Sequence, residues 1–404
     1  MRRVVVTGIG IVSSIGETAD KVAEALKAGR SGVVAANEYA ELGFKCQVHA
    51  RPPVNPKDHV DKRVYRFMGE GSGWCYMAME QAIADSGLEQ GEVSHERTGL
   101  IVGTGGPSTE TIVSAADITR DKGPRRIGPF AVPKAMSSTA SATLATPFKI
   151  KGINYSISSA CTTSLHCMGA GAEQIAWGKQ DIVFAGGGEE LAWSLSNLFD
   201  AMGAMSSAYN DTPATASRPF CKTRDGFVIA GGAGIVVLEE YERAKSRGAT
   251  IYAEVLGYGA TSDGYDMVAP SGEGAERSMR LAVEPLKGRK IDYVNPHATA
   301  TPVGDVAEAG ALKAVFGDDQ PAISATKAMT GHCLGGAGVQ EAIYALLMMR
   351  DGFIAPSINI EEVDPELAFL NIARERRDQA VDTILSNSFG FGGTNGTIVL
   401  GRPD

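Results

Sequence analysis

Short apolar, β-branched runs alternate along the chain with segments of helical spacing. Residues 4–7 predict a strand that ends at glycines, and residues 20–27 have helical spacing. Residues 67–86 predict a long helix, loosened at its start by Gly69, Gly71 and Gly73. Strands are predicted at 100–104, at 155–158 running into Cys161 and a helical stretch, at 181–185 closed by Gly186, Gly187 and Gly188, and at 235–239 before a charged helix to Arg247. The pattern then restarts. Strands fall at 251–258, 291–295, 322–325, 383–385 and 397–400, and helices at 275–286, 305–316 and 339–349. Such alternation predicts mainly parallel sheets covered by helices, an α/β class. No Pro/Ser-rich linker divides the chain, yet the order of elements is similar before and after about residue 250. HCMG at 166–169 is echoed by HCLG at 332–335. The reading is two tightly packed halves, 1–250 and 251–404.

Charge changes this picture by exclusion. The 404 residues carry a net charge of −9, which argues against general nucleic-acid or anionic-membrane binding. Glycine is abundant at 49 residues and clustered rather than periodic, so tight turns and close backbone approaches are expected. Gly8, Gly10 and the Gly103-Thr-Gly105-Gly106 run miss the dinucleotide pattern and read as turns. Six cysteines without CxxC spacing predict a reducing compartment. The opening MRRVVVTGIG is broken too early for a signal segment, and no apolar stretch approaches the ~20 residues of a membrane span. A cytoplasmic protein is expected.

Candidate chemistry centres on Tyr155-Ser-Ile-Ser-Ser-Ala-Cys161-Thr-Thr-Ser-Leu-His166. A strand ends in small residues and a cysteine opens a helix, whose N-terminal dipole is expected to lower the thiol's pKa. A lone cysteine is more often a small buried hydrophobe, so partners matter. His297 stands just past a strand in NPHATATP, and Lys327 and His332 lie in a glycine-rich turn. His49, His59 and His95 sit in polar segments and read as surface, and His166 as structural. In SNSFGFGGTN, glycine alternates with phenylalanine, which suits a turn near a ligand better than a strand centre.

Together these segments resemble the β-ketoacyl-acyl-carrier-protein synthases, condensing enzymes of the thiolase superfamily. The likeness spans the chain and rests on SSACTTS, PHATATPVGD, SATKAMTGHCLGGAG and SFGFGGTN. DKRVYRFM, ATPFKIKGINYSISSAC and KQDIVFAGGGEE resemble the bacterial elongating type, synthase I. Ala298 and Ala300 depart from the commoner HGTST pattern but keep both threonines, which leaves synthase II as the alternative subtype.

The resemblance implies a duplicated thiolase fold of five layers, α-β-α-β-α with two mixed sheets, and a homodimer. Cys161 would accept the acyl group, His297 and His332 would complete a Cys-His-His triad, and Lys327 and Glu308 would form a supporting ion pair. Thr299 and Thr301 would contact the phosphopantetheine arm. Met136 and Phe199 would line the acyl tunnel, and Phe389 and Phe391 would gate it. The backbone N–H groups of Cys161 and Phe391 would hold the oxyanion. Two neutral histidines can stabilise an enolate oxygen, and a nearby Lys327 ammonium disfavours imidazolium. The substrates implied are acyl- and malonyl-loaded acyl carrier protein, with no metal or redox cofactor required.

A thiolase would need a second cysteine in the C-terminal glycine-rich loop, and GFGGTN has none. Initiating synthases use asparagine where one of the two histidines stands, and a non-catalytic chain-length partner loses the nucleophile. Carrier proteins are acidic, so attraction to this negative chain needs a local basic patch. Lys62, Arg63 and Arg66 form one candidate, and Lys122, Arg125 and Arg126 a second.

Overall fold

Ten strands join into one sheet in the computed structural model, which describes residues 1–403. Five come early in the chain: β1 (Val4–Val12), β2 (Thr98–Gly103), β3 (Asn154–Tyr155), β4 (Ile182–Glu189) and β5 (Gly232–Glu240). Five come later: β6 (Ala253–Ser262), β7 (Tyr293–Asn295), β8 (Ala322–Ile323), β9 (Thr383–Gly390) and β10 (Thr394–Gly401). Each set has the same spatial order: third, second, fourth, fifth, first. In each, the third, second and fourth strands run parallel, and the fifth and first complete an antiparallel edge. The two expected mixed sheets are the two halves of this order. They meet where β1 pairs β6 at only two positions, Val5 with Glu254 and Val6 with Ala253.

Helices supply the other three layers. α1 (Glu70–Ser86) covers β1 and β5. α2 (Thr163–Ala176) packs on β4 and β10. α3 (Glu273–Val283) covers β6 and β10, with α4 (Pro302–Phe316) beside it. α5 (Ala337–Asp351) packs on β5, β9 and α2. Lying between the sheet halves, α5 is buried at every position from Ala337 to Met349. Its sequence is therefore apolar all round rather than striped.

Glycines behave differently from expectation. β1 does not stop at Gly8 but runs through it and Gly10, because α1 lies too close for a side chain. A Cβ on Gly10 would stand 1.9 Å from Ala78 O, and one on Gly8 2.7 Å from Ala82 O. β4 likewise continues through Gly186, Gly187 and Gly188, where a Cβ on Gly188 would stand 2.7 Å from Cys75 Sγ. These glycines serve helix–sheet contact, not turns. The HCMG/HCLG echo is out of register: His166 lies inside α2, whereas His332 precedes α5. His49 is not a surface residue. It is half-buried edge-on to Tyr39, and burial pushes its pKa down to about 4.

Candidate active site

The chemistry-bearing side chains follow the carboxyl ends of parallel strands. Cys161 comes after β3, His297 after β7 and His332 after β8, while Phe389 is the last residue but one of β9. Open α/β sheets present ligand sites at such ends. The predicted strand at 155–158 is shorter than expected, since β3 pairs only through Asn154 and Tyr155. Residues 156–160 are thereby free to turn, and Ala160 takes φ 50° just before Cys161. Cys161 sits in a short 3-10 turn, Ala160–Thr162, that leads into α2. In the other loops, Ala298 has φ 24°, Ala300 has φ 69° and Leu334 has φ 43°. Non-glycine residues held in this region gather where the surroundings over-determine the backbone.

The glycine–phenylalanine segment is a hairpin with a short turn. Pairing with β10 carries β9 through Phe389 and Gly390, so that only residues 391–393 turn. Gly390 is required there by closeness: a Cβ would stand 3.1 Å from Cys161 N and 2.9 Å from Thr394 Oγ1. Thr162 Oγ1 donates to Thr394 O at 3.0 Å, and Thr394 Oγ1 donates to Ser159 O at 3.1 Å. The two threonines stitch the hairpin to the cysteine turn. His166 anchors the same junction through Ser159 Oγ at 2.8 Å and Asn395 O at 3.2 Å, the structural role expected of it.

Cys161, His297, His332, Glu308, Thr299, Thr301, Phe199, Phe389 and Phe391 all line one cavity of about 340 Å³. The His297 and His332 rings are edge-on, with centroids 5.2 Å apart. Phe389 lies against His297 at 5.8 Å. Phe227, unremarked in the sequence, lies against His332 at 5.5 Å and Phe199 at 5.4 Å. Phe199 also lies against Phe391, at 6.3 Å. Met136 is half-buried and outside the cavity lining.

Two expectations need correction. Lys327 does not pair with Glu308. Its Nζ donates to Glu341 Oε1 at 2.5 Å, and both side chains are 2% exposed. Glu308 instead accepts from His297 N at 2.8 Å, Ala298 N at 2.7 Å and Asn387 Nδ2 at 3.1 Å, which holds the His297 turn. The reason is geometric: α5 carries Glu341 directly under the Lys327 turn, and the Glu308 oxygens are already occupied by backbone donors. A single acid in the apolar run of α5 was the sequence signal for this partner.

The Cys161 thiol is also not lowered. It reaches the cavity, but protein encloses it otherwise, and burial pushes its pKa up to about 12. The Lys327 charge pulls the other way and is outweighed. A short 3-10 turn offers less dipole than the N-terminus of a long helix. Both histidines are held well below the usual imidazole range, first by burial and second by Lys327. They are neutral near pH 7, as read from the sequence. Beneath the site, buried Glu189 accepts from Thr104 Oγ1 at 2.7 Å, Gly105 N at 2.8 Å and Gly335 N at 3.0 Å.

Of the basic residues, Lys62, Arg63, Arg66, Lys122, Arg125 and Arg126 are all exposed. The Arg66 guanidinium lies over Phe67 at 4.9 Å and over Phe130 at 5.0 Å. Phe130 follows Arg126 by four residues, so the two clusters adjoin. Lys122 is paired with Asp121 at 3.3 Å. Among the described residues, no helix is long and apolar enough to cross a membrane.

Residues 1–244 match the N-terminal domain of beta-ketoacyl synthase, and residues 252–361 match its C-terminal domain. The chain is 55% identical over 404 residues to 3-oxoacyl-[acyl-carrier-protein] synthase 1 of Haemophilus influenzae, covering 100% of this chain and 99% of that one. To the protein of the same name in Escherichia coli K12 it is 57% identical over 402 residues, 99% of each chain. Among solved structures, a β-ketoacyl synthase from Burkholderia phymatum STM815 shares 37% identity and superposes with a TM-score of 0.94 over 100% of both chains.

Proposed function

The chain belongs to the β-ketoacyl synthase family, and from that membership we propose that it is an elongating condensing enzyme of fatty acid synthesis. It joins an acyl group from acyl carrier protein to malonyl-carrier, with release of CO2, to give 3-oxoacyl-carrier. The observation that carries this reading is the convergence of Cys161, His297 and His332 on one cavity.

Transfer begins with the Cys161 sulfur attacking the acyl-carrier thioester. The thiol is protonated at rest, so a neutral imidazole lining the same cavity takes the proton during attack, and the departing pantetheine thiolate recovers one. Malonyl-carrier then enters, and loss of CO2 leaves an enolate. The two neutral rings donate N–H to the enolate oxygen in an enclosed site, where such bonds act strongly. Lys327, held by Glu341 behind the rings, adds a fixed positive charge. The enolate carbon attacks the acyl carbonyl on Cys161. Backbone N–H groups of Cys161 and Phe391 would steady the resulting oxyanion, and the C–S bond then breaks, expelling the Cys161 thiolate, which takes up a proton from solvent to restore the resting thiol. Thr299 and Thr301, at the cavity wall, are proposed to hold the pantetheine arm, with Phe199, Phe389 and Phe391 on the acyl side.

The remaining expectations stay with this reading. Residues 1–250 form a half carrying the nucleophile, and residues 251–404 a half carrying both histidines. A homodimer is supported by β3, an edge strand with Tyr155 exposed, and by the exposed apolar side chains of Val132 and Ile112 in the same half of the chain. Met136 would join the acyl tunnel across that interface. The adjoining basic clusters would dock acyl carrier protein. A cytoplasmic location is supported by six free cysteines. The test is incubation with malonyl-carrier, alone and with acyl-carrier, following CO2 and 3-oxoacyl-carrier. An elongating enzyme forms both, whereas a non-catalytic partner subunit releases no CO2.

A further inference from the structure

Residues 298–302 carry Thr299 and Thr301 along the cavity wall on a strained backbone. Ala298 and Ala300, either side of Thr299, both have positive φ. Such a loop keeps its shape only where neighbours fix it. The segment that fixes it from the other half of the chain is residues 220–226. Gly226 N donates to Ala300 O at 3.1 Å. Arg224 Nη2 donates to Pro302 O at 2.9 Å, and its Nε to Thr301 O at 3.3 Å.

Arg224 is itself held rigidly. Its side chain is 3% exposed. Nη1 donates to Asp364 Oδ2 at 2.7 Å and Cys221 O at 3.0 Å, and Nε lies 3.5 Å from Asp305 Oδ2. Asp305 closes the circuit, accepting from Ala300 N at 3.1 Å and Phe220 N at 3.0 Å. A planar fork can meet three carbonyls and two carboxylates at once, which an ammonium cannot. Arg224 does not line the cavity, so it can act on substrate only through the loop.

We propose that Arg224 is the positioning residue of the 298–302 loop: it sets where Thr299 and Thr301 stand and hence how tightly the substrate's pantetheine arm is held. The pantetheine part rests on the functional reading above. In Arg224→Met the Ala300 amide should exchange with solvent at least about tenfold faster, since its held conformation opens more often. KM for short acyl-pantetheine thioesters should rise about tenfold with kcat within about threefold. Alkylation of Cys161 by iodoacetamide, which needs no pantetheine arm, should keep its wild-type rate. Arg224→Lys retains a charge for Asp305 and Asp364 but not both carbonyl bonds. It should show the same pattern at smaller size, and it covers a methionine variant that does not fold. Unchanged exchange at Ala300, or a wild-type KM, overturns the proposal. So does a parallel fall in alkylation and turnover, which marks collapse of the whole site. A wild type that turns over no thioester refutes the functional reading instead, and Ala300 exchange then still judges the clamp.

Discussion

Lys327 and Glu341 form an ion pair at 2.5 Å, 14 residues apart in sequence and almost wholly out of water. Removing one member of such a pair leaves a buried charge without compensation, at about 3–5 kcal/mol. Glu341→Ala should therefore lose stability on that scale in a denaturant titration, while Glu308→Gln, which breaks no ion pair, should lose less. Equal losses would contradict the assignment of Glu341 as the partner.

Lys327→Ala should slow malonyl decarboxylation more than acyl transfer to Cys161. The ammonium favours the charge that develops on the enolate, whereas burial, the larger cause of the lowered imidazole pKa values, remains when Lys327 is removed. CO2 release and intact-mass acylation measure the two steps separately. A variant that acylates poorly yet decarboxylates normally rules this role out.

The thiol and the imidazoles give opposite pH signatures. A thiol pushed up to about 12 has a thiolate fraction that rises about tenfold per pH unit below that value. Iodoacetamide should therefore alkylate Cys161 steadily faster from pH 7 to pH 9. The histidines need to be neutral, and their lowered pKa keeps them so as pH falls through 6.5. Decarboxylation should thus show no acid limb near the ordinary histidine pKa. An alkylation rate that is flat below pH 8 would mean a preformed thiolate.

Docking is tested by charge reversal. Lys62→Glu with Arg66→Glu, or Arg125→Glu with Arg126→Glu, should weaken use of carrier-bound substrates and spare short pantetheine thioesters. The wild-type rate with carrier should fall with salt, as exposed charges are screened. Since Arg66 also stacks on Phe67 and Phe130, the second pair is the cleaner variant. Equal loss on both substrate types would make the patch structural.

Much of this was legible in the sequence. Strand and helix alternation gave an α/β class of sheet covered by helices, because buried strands and α5 read as continuous apolar runs; the five layers came with the family resemblance. The cavity residues stood out because cysteine, histidine and glycine–phenylalanine motifs are rare in a chain of this composition. What was not legible is packing at a distance. Gly8, Gly10 and Gly188 look like strand breakers until α1 is brought against the sheet. The partner of Lys327 depends on how α5 crosses beneath its turn, and Met136 is absent from the cavity lining, which no local pattern reveals. The thiol's pKa likewise followed burial, which a helix-start motif does not reveal.

The central claim is that Cys161 carries the acyl group while the histidines generate the nucleophilic carbon. Intact-mass and peptide mass spectrometry after incubation with acyl-carrier, run beside CO2 release from malonyl-carrier, tests it most directly. Wild type should gain one acyl group, located on Cys161. Cys161→Ala should gain none and lose condensation by orders of magnitude, yet still release CO2. An acyl group on another residue, or full condensation by Cys161→Ala, would contradict the account.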